Sequence, residues 1–195
     1  MLGAIAKSYY AEKMDIDVKN MRVISIMPCV AKKAESARPE LSKEDTLHVD
    51  YVLSTREFGR MIKEAGIDFR TLEDGEFDNI LGESTGAAAI FGTTGGVIEA
   101  AVRTAHNLIT GEELQDDKLD FKELRGFEGI REATVNIGDL ELNIGIAHGL
   151  GNARKLLEDI KAGRSHYHAI EIMACPGGCI GGGGQPYHHG HEDLS

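Results

Sequence analysis

The chain has 195 residues, with 21 Lys and Arg against 32 Asp and Glu, a net charge of −11, and a 42% apolar share. That length suits one ordinary domain or two small lobes with a buried core. The acidic balance, with no basic block to override it locally, argues against a nucleic-acid backbone as partner.

No apolar run approaches the ~20 residues of a membrane span. The start, Met1-Leu2-Gly3-Ala4-Ile5-Ala6-Lys7, passes straight into a helical pattern and lacks the basic region and cleavage site of a signal peptide. The expectation is a cytoplasmic protein without a membrane span. Three cysteines are an odd and sparse set for a secreted scaffold, so reduced thiols are expected, and the question becomes what they hold.

In chain order, residues 2–14 read as a helix with Leu2, Ile5, Ala6, Tyr9 and Tyr10 on one face. Residues 22–27 form a β-branched run stopped by Pro28, which predicts a buried strand. A charged loop is expected over 32–50, then a second strand at Tyr51-Val52-Leu53. Ser54-Thr55-Arg56-Glu57 carries a capping-box signature that opens a helix over 57–65, with Gly66 as its stop. Residues 82–96 are rich in small side chains, and Ala87 to Ile90 read most simply as core. Gly92-Thr93-Thr94-Gly95-Gly96 precedes a helix and has the composition of a phosphate cradle. It matches neither a P-loop nor a dinucleotide fingerprint, so tight packing is the simpler reading. Residues 97–109 continue as a helix closed by Gly111. Residues 128–137 and 140–147 alternate around Gly138-Asp139 as a hairpin. A helix over 153–161 ends at Gly163, and 168–174 is the last strand. The alternation predicts a mixed α/β class.

One internal echo carries more than the elements do. Ile24-Ser25-Ile26-Met27-Pro28-Cys29 and Ile170-Glu171-Ile172-Met173-Ala174-Cys175 share the pattern I-x-I-M-x-C. Each strand delivers a Met and then a Cys at its C-terminal end, where open α/β sheets place their ligands. Chance is the competing account, since short echoes of small apolar residues occur.

The cysteines sit in these segments. Cys175-Pro176-Gly177-Gly178-Cys179 is a C-x3-C turn that runs on through Ile180-Gly181-Gly182-Gly183-Gly184-Gln185-Pro186. Thiolates at this spacing on a glycine-rich loop can face one iron–sulfur cluster, with backbone N–H groups close to its sulfur. A structural zinc site would prefer C-x2-C pairs with four closed ligands. His188, His189 and His191 lie in a polar tail and read first as solvated histidines. Free cysteine is often a small buried hydrophobe, but a core cysteine needs no Gly/Pro loop. Lys32 lies three residues beyond Cys29 and would suit an anionic ligand group, although spacing alone favours a solvated lysine.

At these residues the chain resembles the large catalytic subunit of the [FeFe]-hydrogenases. Met27-Pro28-Cys29-Val30-Ala31-Lys32-Lys33-Ala34-Glu35 is similar to that family's second signature, M-P-C-x-x-K-x-x-E. The segment from Glu171 through Cys175 and Cys179 to Pro186 is similar to the third, E-x-M-x-C-x-x-G-C-x-x-G-G-G-Q-P. Residues 82–96 and 125–133 are also similar, so the resemblance covers nearly the whole chain, residues 1–195 being a partial H-cluster domain.

The resemblance implies an α/β fold of two lobes, each a mostly parallel sheet flanked by helices and here truncated at the N-terminus. It implies the H-cluster, a [4Fe–4S] cube joined through a cysteine to a di-iron unit with CO, cyanide and a bridging dithiolate. Cys29 and Cys175 would ligate the cube, and Cys179 would bridge cube and di-iron unit. Lys32 would hydrogen-bond a cyanide, Pro28 and Ala31 would lie near another, and Met27 and Met173 would pack the apolar wall. The implied reaction is reversible conversion of protons and electrons into H2. The implied partners are a ferredoxin or a flavin/NAD(P)-linked electron-transfer subunit, together with maturation proteins. The family's first signature, T-S-C-C-P-x-W, lies upstream of a helix resembling residues 2–14, and this chain begins at that helix. The expectation is therefore a fragment of a catalytic domain, inactive alone.

Overall fold

The computed structural model describes residues 1–43 (for Lys43 the backbone only), 46–80, 82, 87–114 and 129–187. They divide into two compact units, 1–83 with 183–189 and 84–182 with 190–195. His188, His189 and His191 lie outside the described residues, as do 83–86 and 115–128.

The first unit opens with one helical run, as the 3.6-residue period predicts. It is made of α1 (Leu2–Ile5), a π turn (Ala6–Tyr10) and α2 (Ala11–Lys13). The π turn carries Lys7, which is 7% exposed. Its ammonium donates to Leu47 O at 2.6 Å and to Asp50 Oδ2 at 2.6 Å. A π turn is a common device for re-aiming a side chain within a helix.

Two strands, β1 (Ile24–Met27) and β4 (Tyr51–Ser54), pair in parallel with Ile24 opposite Tyr51 and Met27 opposite Ser54. The strand begins at 24 rather than 22 because Val23 is otherwise engaged. Its N–H donates to Asp50 Oδ2 at 2.7 Å, and its carbonyl accepts from Asp50 and Tyr51. Ile24 and Ile26 are 58% and 46% exposed, so this strand is not the buried one expected. Two strands alone leave a sheet face uncovered. The expected charged loop contains α3 (Ala31–Ser36) and a minimal antiparallel pair, β2 (Ser42–Lys43) and β3 (Thr46–Leu47). The capping box forms as predicted and opens α4 (Thr55–Glu64): Ser54 Oγ accepts from Glu57 N, and the Glu57 carboxylate accepts from Ser54 N at 2.8 Å. The Ser54 N–H, then Lys33 and the Ser54 hydroxyl, pull the Glu57 carboxyl down to about 2.

The buried Lys7–Asp50 pair makes the first unit acid-sensitive. Burial pushes the Asp50 carboxyl up, but the Lys7 hydrogen bond, the Val23 N–H and the charges of Lys7 and Arg22 outweigh it, leaving Asp50 below its ordinary 3.8. A carboxyl lowered on folding contributes stability above its unfolded value and loses it as pH falls through the folded one. Urea unfolding should therefore show the wild type weakening below about pH 4. Asp50→Asn should cost about 3 kcal/mol at pH 7, because it strands a buried ammonium, and should flatten that acid limb. Equal wild-type stability at pH 3 and pH 7 would remove this role.

The second unit holds α5 (Gly96–Thr110), β5 (Ile130–Ile137), β6 (Leu140–His148), α6 (Leu150–Lys161) and β7 (Ala169–Met173). β5 and β6 form the expected hairpin, and Gly138 supplies the positive φ, 58°, of its turn. β6 and β7 pair in parallel across the α6 connection. Both units thus contain a parallel and an antiparallel pairing within a mixed α/β fold, and in the second the two share one three-stranded sheet. Val102 and Leu114 pack with Val135, Ile137, Ile144 and Ile146 as the core. α6 starts three residues before the expected 153, because Gly149 serves as its N-cap and Gly151 hides the periodicity. Ala87 to Ile90 are not core: they form a 3-10 turn with Ala88 and Ala89 exposed. That turn brings Ile90 O against Gly96, where an added Cβ would lie 1.7 Å away. Among the described residues no helix is long and apolar enough to cross a membrane.

Candidate functional site

Both members of the sequence echo end strands that pair in parallel. Met27 closes β1 and Met173 closes β7, with the cysteine two residues further on in each case. In the first unit Met27, Pro28 and Cys29 are half-buried, and the chain turns at Val30 into α3, which carries Ala31 and Lys32. Lys32 Nζ donates to Glu35 Oε2 at 2.5 Å. This ion pair lines a cleft of about 100 Å³ with Ser25, His48, Val49 and Val52.

The first unit also joins two distant signature segments. Gly184 N donates to Pro28 O at 2.8 Å. Arg56, on the first turn of α4, holds the returning segment: its backbone N–H donates to Gly184 O at 3.1 Å and its Nη2 to Gly183 O at 2.8 Å. The guanidinium also lies 4.9 Å from the Tyr187 ring centroid. A Cβ on Gly184 would meet Pro28 C and O at 2.8 and 2.9 Å and Ser54 Cβ at 3.0 Å, so only glycine fits there. The M-P-C segment and the G-G-Q-P segment, over 150 residues apart, are neighbours in space.

In the second unit Cys175 is half-buried and Cys179 exposed, at the two ends of a turn that Gly177 and Gly178 close at φ 74° and 100°. Gly178 N donates back to Cys175 O at 3.1 Å. The turn lies against residues 92–94: Thr94 N donates to Gly177 O at 3.1 Å and Ile180 N to Gly92 O at 2.8 Å. A Cβ on Gly178 would stand 2.7 Å from both Gly92 O and Thr94 N. Tight packing is what the Gly/Thr segment does. Its phosphate reading is set aside by Glu171, whose two carboxylate oxygens accept from Gly95 N at 2.6 Å and Ile98 N at 2.8 Å. The chain's own carboxylate occupies the anion position at the start of α5.

His148 ends β6, opposite Met173, and is 6% exposed. Its Nδ1 accepts from Gly177 N at 3.3 Å, while Nε2 is buried without a partner among the described residues. Thr94 Oγ1 is likewise buried and unpartnered. Sequence reasoning missed His148, Arg56 and the capping role of Glu171; H-G-x-G-N after a strand was a faint sign of the first, and nothing marked the second. No disulfide joins the three cysteines. Among the described residues no group of three or more His, Cys, Asp and Glu is gathered for a metal ion. The donor set of the second unit nonetheless suits iron–sulfur chemistry: two thiols on a glycine turn, with buried unpartnered polar groups on the residues that hydrogen-bond that turn.

Residues 1–183 match the family model described as iron only hydrogenase large subunit, C-terminal domain. The chain is 58% identical over 194 residues to the NADP-reducing hydrogenase subunit HndD of Solidesulfovibrio fructosivorans, covering 100% of this chain and 33% of that one. It is 53% identical to the periplasmic [Fe] hydrogenase large subunit of Nitratidesulfovibrio vulgaris, over 95% of this chain and 44% of that one. A more distant relative, at 30% identity over 95% of this chain and 40% of that one, is the cytosolic Fe-S cluster assembly factor narfl of Xenopus tropicalis. A solved [FeFe]-hydrogenase, HydA(deltaEFG), superposes with a TM-score of 0.77 at 39% identity, covering 96% of this chain and 54% of that one. The chain thus spans a third to about half of the length of these relatives.

Proposed function

The chain belongs to the iron-only hydrogenase large-subunit family, and from that membership we propose that it is part of the catalytic domain of an [FeFe]-hydrogenase, binding an H-cluster. The observation that carries this reading is the pair of cysteine segments in their signature contexts, one of them fastened to the far end of the other by the Gly184–Pro28 bond. When bound, the cluster supplies the reversible conversion of two protons and two electrons into H2.

The chain's own residues supply ligands and surroundings. Cys29 and Cys175 would serve as thiolate ligands of the cube, and Cys179 would hold the di-iron unit to it. Met173, buried at the end of β7, and Met27, half-buried at the end of β1, present thioethers as apolar, polarisable wall. Lys32 has three N–H bonds, so it can keep Glu35 and still donate to a cyanide. Pro28 and Ala31 would lie beside a second cyanide. Electrons come from a ferredoxin or a flavin/NAD(P)-linked subunit, a reading supported by the relative named as NADP-reducing. Dedicated maturation proteins install the di-iron unit.

A second reading, a cluster-assembly protein of the same fold, draws on the narfl relative. Identities of 58% and 53% to hydrogenases against 30% favour the first. Lys32 favours it too, because a cyanide partner has no purpose in a plain cluster carrier. Infrared spectroscopy separates the readings after anaerobic maturation of this chain, alone and within a polypeptide extended to its relatives' length. Bands from iron-bound CO and cyanide are expected in the extended protein. An iron–sulfur EPR signal with no such bands would point to the assembly reading instead.

A further inference from the structure

The residues that hydrogen-bond the turn carrying Cys175 and Cys179 include two buried polar atoms with no partner among the described residues. Gly177, at the centre of that turn, donates its N–H to His148 Nδ1 at 3.3 Å and accepts from Thr94 N at 3.1 Å. Because Nδ1 accepts, it bears the lone pair, and the ring proton of His148 resides on Nε2. That Nε2–H is buried with no partner among the described residues, and so is Thr94 Oγ1. The two residues are 6% and 2% exposed. A buried, unsatisfied donor forfeits its hydration without recompense, and folded proteins rarely keep one without a ligand, an ion or a water to meet it. Two such groups, on residues that both hydrogen-bond Gly177 of one thiol-bearing turn, call for acceptors that the protein itself does not supply.

We propose that His148 Nε2–H and Thr94 Oγ1–H are positioning donors for the sulfur of an iron–sulfur group held at the Cys175–Cys179 turn. This rests on the cluster-binding reading above. The acceptor chemistry is a thiolate or inorganic sulfide, whose negative charge grows when the cluster is reduced. Hydrogen bonds to cluster sulfur therefore favour the reduced state and raise the reduction potential. Through Nδ1 His148 fixes the backbone of Gly177, and its Nε2–H is the donor offered to cluster sulfur.

The test uses the chain within the longer polypeptide, reconstituted anaerobically with iron and sulfide, and reads the midpoint potential by EPR-monitored titration. His148→Phe removes the donor, whereas His148→Gln keeps an N–H near the Nε2 position. His148→Phe should shift the ratio of oxidised to reduced cluster at fixed potential about tenfold toward oxidised, about 59 mV for a one-electron couple. Thr94→Val should move it the same way, and His148→Gln should restore most of the wild-type value. In the cluster-free protein, nitrogen NMR of labelled histidine should find the His148 proton on Nε2, and its signal should broaden or shift when the cluster is loaded. Potentials unchanged in both His148→Phe and Thr94→Val, with cluster content equal to wild type, would overturn the proposal and leave a buried water as the partner of these atoms. If His148→Phe fails to fold, Thr94→Val and the NMR signal carry the decision. Failure of the wild type itself to take up any cluster would instead sink the cluster-binding reading.

Discussion

Cys179→Ser, in a polypeptide extended to the relatives' length, is expected to abolish the infrared bands of iron-bound CO and cyanide and to reduce H2 turnover to background, with the fold intact. The two halves of that expectation have separate physical sources. Cys179 is exposed, at the start of a single 3-10 turn outside the core. Exchanging one sulfur for oxygen at such a position costs within about 0.5 kcal/mol of stability. The metal chemistry is unforgiving by contrast. Soft thiolates select iron–sulfur groups, and a serine oxygen is a harder, far less readily deprotonated ligand. In the proposed assignment Cys179 would attach the di-iron unit to the cube, so its loss would remove that attachment. Circular dichroism and urea unfolding provide the control. A variant that unfolds like the wild type but lacks the bands supports the bridge, and one that retains both bands and activity overturns it. Cys175→Ser, at the other end of the turn, should lower cube content instead and so distinguish the two thiols.

The sequence was most informative where one local rule acted alone. The capping box at Ser54 and Glu57, the hairpin turn at Gly138 and the helix stop at Gly111 are each set by a few adjacent residues, and each formed where expected. The I-x-I-M-x-C echo was legible for the same reason, because a strand end is a local event. Errors arose where a long-range partner decided the outcome. Residues 22–27 have strand composition, yet Asp50 captures the Val23 N–H, and β4 as sole neighbour leaves Ile24 and Ile26 exposed. Lys7 gave no sign of burial in a helix whose apolar face was already counted, because its partners lie 40 and 43 residues away. The same limit applied at the site. Cysteines on a glycine turn were visible in the sequence, whereas His148 and Arg56 acquire their roles only through Gly177 and Gly183–Gly184, contacts that no spacing rule encodes. Glu171 is the instructive middle case: its place in a signature was evident, but the chemistry of that place was not.

Glu171→Ala is expected to be the most destabilising single substitution in the second unit, at about 3–5 kcal/mol, and the reason is a helix start with no other cap. α5 begins after Gly95, a residue with no side chain to accept from the first-turn N–H groups. Glu171 reaches across from β7 and satisfies Gly95 and Ile98 with one oxygen each. Hydrogen bonds to a carboxylate contribute about 1.5–3 kcal/mol apiece, and alanine would leave both donors buried and unmet. Proximity to the positive end of a 15-residue helix adds about 0.3–1 kcal/mol. Glu171→Gln keeps one acceptor but sets an amide NH2 against the second N–H, so a loss of about 2 kcal/mol is expected. The consequence extends to the site, because Thr94 immediately precedes this cap and holds Gly177 of the cysteine turn. Loosening the start of α5 should therefore lower cluster retention in Glu171→Gln even where most of the fold survives. Urea unfolding measures the first effect, and iron content after gel filtration measures the second. Wild-type stability in Glu171→Ala would show instead that α5 is held by its packing on the core.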